Sequence, residues 1–153
     1  MRQKLPNHII SHAPQAPYFC SECYKKGAYV TVDKSVGHLI DFYNIQFYNQ
    51  GDTTYDTYEK LFVKSTGSFN KTSVKEINDR GVPLEKLVVG KPVTPGDATN
   101  TGYMEKSALG SAITKAAKES QWKAGVFFWQ YSSDPNGDTI HTVIQGLMQT
   151  EKT

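Results

Sequence analysis

The stretch Leu39-Ile40-Asp41-Phe42-Tyr43-Asn44-Ile45-Gln46-Phe47-Tyr48-Asn49 is rich in aromatic and β-branched residues and closes on amide and phenol side chains. That composition reads as a strand, and consecutive apolar positions mark one buried on both faces, as in parallel sheets. Three comparable runs accompany it. His8-Ile9-Ile10-Ser11-His12-Ala13, closed by Pro14, precedes it; Leu87-Val88-Val89-Gly90, stopped by Pro92, and Gly125-Val126-Phe127-Phe128-Trp129-Gln130-Tyr131 follow it. Helical periodicity fills the intervals. Thr54 to Phe62 carries Tyr55, Tyr58, Leu61 and Phe62 at helical spacing, and Ser73 to Asp79 continues or restarts a helix before Arg80-Gly81-Val82-Pro83 breaks it. Ser107 to Glu119 places Leu109, Ile113, Ala116 and Ala117 on one side, and Thr139 to Met148 does the same with Ile140, Val143, Ile144 and Leu147. Strands that alternate with helices imply parallel strands joined by crossover helices, an α/β fold.

The 153 residues fit a single domain, 1–153, with enough chain to bury a core. A closed (β/α)8 barrel takes about 250 residues, so four strands and their helices amount to a half TIM barrel. Met1 to Asn7 reads as the tail of a helix. The net charge of +2, with both signs interspersed, leaves no basic stripe for nucleic acid. No apolar run is long enough to span a bilayer, and no apolar segment follows the charges of Met1-Arg2-Gln3-Lys4 as a signal peptide requires. Two cysteines, Cys20 and Cys23, cannot build a four-Cys zinc site. They sit in a loop, as free thiols or as a local disulfide. No metal and no cofactor is expected.

Four short motifs at the strand ends carry a resemblance. Ala13-Pro14-Gln15-Ala16-Pro17, Ile45-Gln46-Phe47-Tyr48-Asn49, Val89-Gly90-Lys91-Pro92-Val93-Thr94-Pro95 with Thr101-Gly102-Tyr103, and Gly125-Val126-Phe127-Phe128-Trp129 occur in order across nearly the whole chain. In that order they resemble strands five to eight of the hevamine-like, plant- and fungal-type glycoside hydrolase family 18 chitinases. The resemblance implies a barrel whose site lies at the carboxyl ends of the strands. In that family the N-acetyl oxygen of the substrate attacks the anomeric carbon, an exception to the two-carboxylate scheme. It further implies that Tyr48 hydrogen-bonds the acetamide with help from Gln46 and Asn49, that Trp129 floors the sugar, and that Gln15 lines the same cleft. Read singly, each is an ordinary barrel side chain: Tyr48 and Trp129 as packed aromatics, His12, His38 and His141 as structural or exposed imidazoles.

The family's Asp-x-x-Asp-x-Asp-x-Glu pattern, which supplies the proton donor, does not occur among these residues. The nearest imitation, Asp52-Thr53-Thr54-Tyr55-Asp56-Thr57-Tyr58-Glu59, has its acids out of register and reads as a solvated helix start with Asp52 as N-cap. No catalytic residue is therefore assigned. General acid catalysis contributes about 10² to 10⁴ in rate, so the chain by itself is expected to be a poor hydrolase. The implied ligand is chitin or a chito-oligosaccharide, with no nucleic-acid or membrane partner. A non-catalytic oligosaccharide-binding protein and a purely structural half-barrel are the rival readings.

A half-barrel leaves two strand edges and an inner face, with Phe42, Ile45, Phe47, Phe127 and Trp129 assigned to it, in need of cover. A homo-oligomer, or a separate N-terminal half-barrel, would supply that cover. The third outcome is an open twisted sheet with helices on both faces. The resemblance implies an extracellular location if the parent protein is secreted. The triplet Asn70-Lys71-Thr72 has the form of a glycosylation acceptor, which suits such a parent.

Overall fold

Ser11 lies beside Phe42, Tyr43 beside Leu87, and Val89 beside Val126, and all three pairings run parallel. The computed structural model that gives these registers describes residues 3–4 and 6–149, less the side chains of 146, 147 and 149. The strands are β1 (Ser11–His12), β2 (Phe42–Gln46), β3 (Leu87–Pro92) and β4 (Val126–Trp129), in spatial order β1-β2-β3-β4. The helices are α1 (Ala28–Val36), α2 (Val74–Asp79), α3 (Lys106–Glu119) and α4 (Asp138–Gln149). Among the described residues no helix is long and apolar enough to cross a membrane.

Strand positions divide by the period of two. Tyr43, Ile45 and Phe47, with Leu87 and Val89, are fully buried in the core against Val30, Ile77, Leu109, Ile113 and Trp122. Phe42, Asn44, Gln46 and Tyr48 alternate with them onto the other face, where Val88 and Phe127 join them in two clefts. This corrects the assignment of Ile45 and Phe47 to the inner face. They belong to the helix-facing set, and the inner face carries polar Asn44 and Gln46 beside Phe42, Phe127 and Trp129.

Gly90 makes the inner face possible. A Cβ there would lie 2.1 Å from the Phe127 ring and 2.8 Å from the Ile45 carbonyl oxygen, so only glycine lets Phe127 cross β3. Trp122, fully buried, ties α3's exit to the sheet by donating its indole N–H to the Leu87 carbonyl (2.8 Å). Ser73 starts α2 through a capping box: its hydroxyl accepts the Glu76 N–H while the Glu76 carboxylate accepts the Ser73 N–H. Glu105 caps α3, its carboxylate accepting the Ser107 and Ala108 N–H groups.

Several local expectations differ from the structure. The stretch from Thr54 does not form a helix until Glu59, where a π-helical turn runs Glu59–Val63. Tyr55 explains the delay. Its backbone is left-handed at φ 48°, its carbonyl accepts from Lys91, and its hydroxyl is bonded to Thr72. Two tertiary contacts and a left-handed backbone thus override the local periodicity. Asp52 caps no helix; its carboxylate accepts from the Ser68 backbone N–H and hydroxyl, closing a loop instead. Of the proposed N-terminal helix tail, residues 3, 4, 6 and 7 form turns, while Met1, Arg2 and Leu5 lie outside the described residues. The Leu147 side chain of α4 also lies outside them. Helix α1 occupies a stretch to which periodicity assigns no element, since Val30, Thr31 and Val32 are β-branched. Packing of Val30 into the core and a bond from the Tyr43 hydroxyl to Asp33 (2.7 Å) hold it as a helix. Cys20 and Cys23 form a disulfide, with Cα atoms 5.3 Å apart.

Candidate functional site

Parallel strands carry their side chains to a common carboxyl end, and each motif residue lies at or just beyond such an end. Gln46 ends β2, Tyr48 and Asn49 follow it, and Trp129 ends β4. Although β2 and β4 are separated in sequence by two helices, β3 alone lies between them in the sheet. The result is one cleft of about 370 Å³ lined by Ala13, Gln46, Tyr48, Asn49, Asp97, Thr99, Phe127 and Trp129. Gln15 is not part of this lining. Its backbone bridges to Gln46, which anchors the loop after β1 beside the cleft.

Each side chain is held by a definable device. Gln46 donates its amide N–H to the Ala13 carbonyl (2.9 Å), which fixes the amide plane and leaves its oxygen uncommitted among the described residues. Asn49 is left-handed at φ 61°, a conformation asparagine tolerates. Its backbone N–H donates to Thr101 O (2.8 Å), and its side-chain oxygen accepts the Thr99 N–H (2.7 Å). Asn49 therefore clasps the loop after β3 to the end of β2. Gly102, at φ +104°, lets that loop pack directly on Tyr48: a Cβ would stand 2.4 Å from the Tyr48 Cα. Tyr48 is 6% exposed, and its hydroxyl has no protein partner among the described residues. Burial raises the phenol above its usual pKa, so it stays a proton-bearing donor. Trp129 is 52% exposed, with a face free to stack.

The carboxylate in the cleft is Asp97, which the sequence reading did not nominate. Its oxygens accept from the Ser133 hydroxyl (2.7 Å), the Thr94 hydroxyl (2.7 Å) and the Thr94 N–H (2.9 Å). Those bonds, Ser133 first, hold it below the ordinary aspartate range, so it is an ionised brace between two loops and a poor proton donor. Thr94-Pro95-Gly96-Asp97 has the Thr-x-x-acid form of a capping box, and that signal marks Asp97 as a loop organiser. The acids of the imitation motif lie elsewhere. Asp56 pairs with Lys60 (2.9 Å) and Glu59 lies 3.8 Å from Lys115. A larger groove of about 540 Å³ follows α3 and α4, lined by Ser, Thr and Lys with no aromatic floor. It has donors but no stacking face of the kind Trp129 and Phe127 give the strand-end cleft.

No protein-family model matches the chain. Chitinase 3 of Candida albicans is 29% identical over 136 residues, which are 83% of this chain and 19% of that protein. A GH18 chitinase from Pseudoalteromonas aurantia is 34% identical, with a TM-score of 0.75 over 95% of this chain and 49% of its own. A GH18 chitinase from Cycas revoluta, solved in complex with (GlcNAc)4, shares the fold at 15% identity and a TM-score of 0.63, over 95% of this chain and 58% of its own. The chain thus spans about half the length of the first of these solved structures and about a fifth of the curated relative. In sequence and in fold it is similar to one half of a glycoside hydrolase family 18 chitinase barrel.

Proposed function

We propose that the strand-end cleft holds an N-acetylglucosamine unit of a chito-oligosaccharide, and that the proton donor for hydrolysis lies outside these residues. One observation carries the reading: Gln46, Tyr48, Asn49 and Trp129 converge on a single cleft together with Phe127. In this assignment the mostly buried Tyr48 hydroxyl donates to the acetamide oxygen, the free oxygen of Gln46 accepts a sugar N–H or hydroxyl, and Trp129 stacks under the ring. Gln15 acts through its backbone bridge to Gln46. The cleft's carboxylate, Asp97, is committed to Ser133 and Thr94 and cannot serve as the acid. On its own, the chain therefore binds oligosaccharide without cleaving it, which is also how a non-catalytic, lectin-like protein would behave. A purely structural half-barrel would show no sugar response at all.

Titration of the 153-residue polypeptide with (GlcNAc)4, followed by tryptophan emission and amide chemical shifts, tests this. The expected result is a saturable change that W129A abolishes and Y48F weakens, with no hydrolysis products. Absence of any response at saturating oligosaccharide would remove the sugar-site reading, and rapid cleavage would remove the missing-acid reading.

We further infer that the outer edges of the sheet, β1 and β4, are covered by another copy of the chain. Among the described residues each edge strand is paired on one side alone, and on the inner face β4 carries half-buried Phe127 and exposed Trp129. A complementing N-terminal half-barrel is the alternative cover. Light scattering of the pure polypeptide is expected to give a dimer mass; a well-folded monomer would exclude self-association.

A further inference from the structure

We propose that Lys91 is a positioning residue for Tyr48, acting through the backbone of Phe47. The inference deepens the oligosaccharide-site reading and rests on it. By the period of two, Lys91 follows Leu87 and Val89 onto the helix-facing side of β3, and its side chain is completely buried there. Its amine donates to the Phe47 carbonyl (3.0 Å) and to the Tyr55 carbonyl (2.8 Å). Phe47 O belongs to the peptide that supplies the nitrogen of Tyr48, so Lys91 fixes the plane from which Tyr48 enters the cleft. The Tyr55 end of the clamp secures the segment after β2, where Tyr55 is left-handed and its ring packs against Phe47 at 5.2 Å.

An ammonium in this place has no ordinary structural excuse. Among the described residues no carboxylate is bonded to it; the charge that acts on it is Asp56, which is itself paired with Lys60. Burial without an ion pair lowers the amine from 10.5 to about 7. A methionine or leucine would fill the same apolar volume without that cost. What the amine supplies, and an apolar side chain cannot, is a pair of donors aimed at two carbonyls on different segments. Charge-assisted donors are the stronger ones, so the clamp slackens when the amine loses its proton. The charged groups facing it are Asp56 and, through Asp56, Lys60.

The test pairs wild-type protein with K91M and W129A. Lysine ε-methylene and Tyr48 ring resonances are followed from acid to mildly alkaline pH, and (GlcNAc)4 affinity is measured on each side of the midpoint. In wild type, the Tyr48 shifts are expected to titrate with the Lys91 midpoint, and (GlcNAc)4 affinity to fall by severalfold above it. In K91M the Tyr48 shifts are expected to be flat and the dissociation constant raised about tenfold. W129A should lose sugar binding yet keep the Tyr48 titration, which separates failure of the sugar reading from failure of this one. If K91M does not fold, the wild-type titration alone decides. Tyr48 resonances that ignore Lys91's titration, or K91M binding sugar as tightly as wild type, would overturn the proposal.

Discussion

Replacing Lys91 with methionine is expected to change how stability depends on pH, by an amount the structure allows to be worked out. The buried amine titrates at about 7 against 10.5 for the free side chain. Between those values the unfolded chain binds a proton that the folded chain does not, so wild-type stability rises with pH across that window. Below about 7 both states are protonated and the full cost of burying the charge is felt. At about 1.4 kcal/mol per pH unit, moving from pH 6 to pH 9.5 should raise wild-type stability by about 3 kcal/mol through this group. In K91M the charge is gone, but the carbonyls of Phe47 and Tyr55 lose their donor, at about 1–3 kcal/mol each. At pH 6 the two effects nearly cancel, and K91M should lie close to wild type. At pH 9.5 it should be the less stable protein by several kcal/mol. The raised phenols of Tyr43 and Tyr55 stay neutral through this range, and the carboxylates lowered by hydrogen bonds, Asp52 and Glu76 among them, titrate below it. Urea unfolding of both proteins at the two pH values measures the difference. Parallel pH curves for wild type and K91M would refute the reasoning.

Three further outcomes are expected. G90A drives a Cβ into the Phe127 ring and should cost about 1–3 kcal/mol of unfolding free energy; because Phe127 lines the cleft, (GlcNAc)4 binding should weaken as well. W122F opens space in the core and leaves the Leu87 carbonyl without its donor, so a loss of about 2–4 kcal/mol should appear in denaturant titration. S73A removes the capping box of α2 and should lower stability by about 1 kcal/mol, read as a shifted midpoint in urea unfolding.

The strands were legible because their signal is compositional and local. Apolar runs closed by Pro14, Pro92 or polar residues gave all four, and helices α2, α3 and α4 followed from the spacing of their apolar residues and from the break at Arg80-Gly81-Val82-Pro83. The resemblance to family 18 chitinases rested on four ordered motifs, and the comparisons agree with it. Face assignment was the weak point. Asn44 and Gln46 alternate with Tyr43, Ile45 and Phe47, but Phe42 shares the face of the polar pair, so each face of β2 carries an aromatic side chain and the helices decide which set they cover. Asp97 went unnoticed because its role depends on Ser133, which lies thirty-six positions away in sequence.

What the residues determined alone was the order of the four strands and of helices α2, α3 and α4, the motif set at the strand ends and the lack of the Asp-x-x-Asp-x-Asp-x-Glu pattern. Such features depend on local propensity and on identity at neighbouring positions. Tertiary structure alone decided that Thr54–Tyr58 leaves the helix, that Cys20 joins Cys23, and that Lys91 is sealed behind Tyr48. Each of those depends on groups brought together across a fold, where burial and hydrogen bonding outweigh the preferences of the single segment.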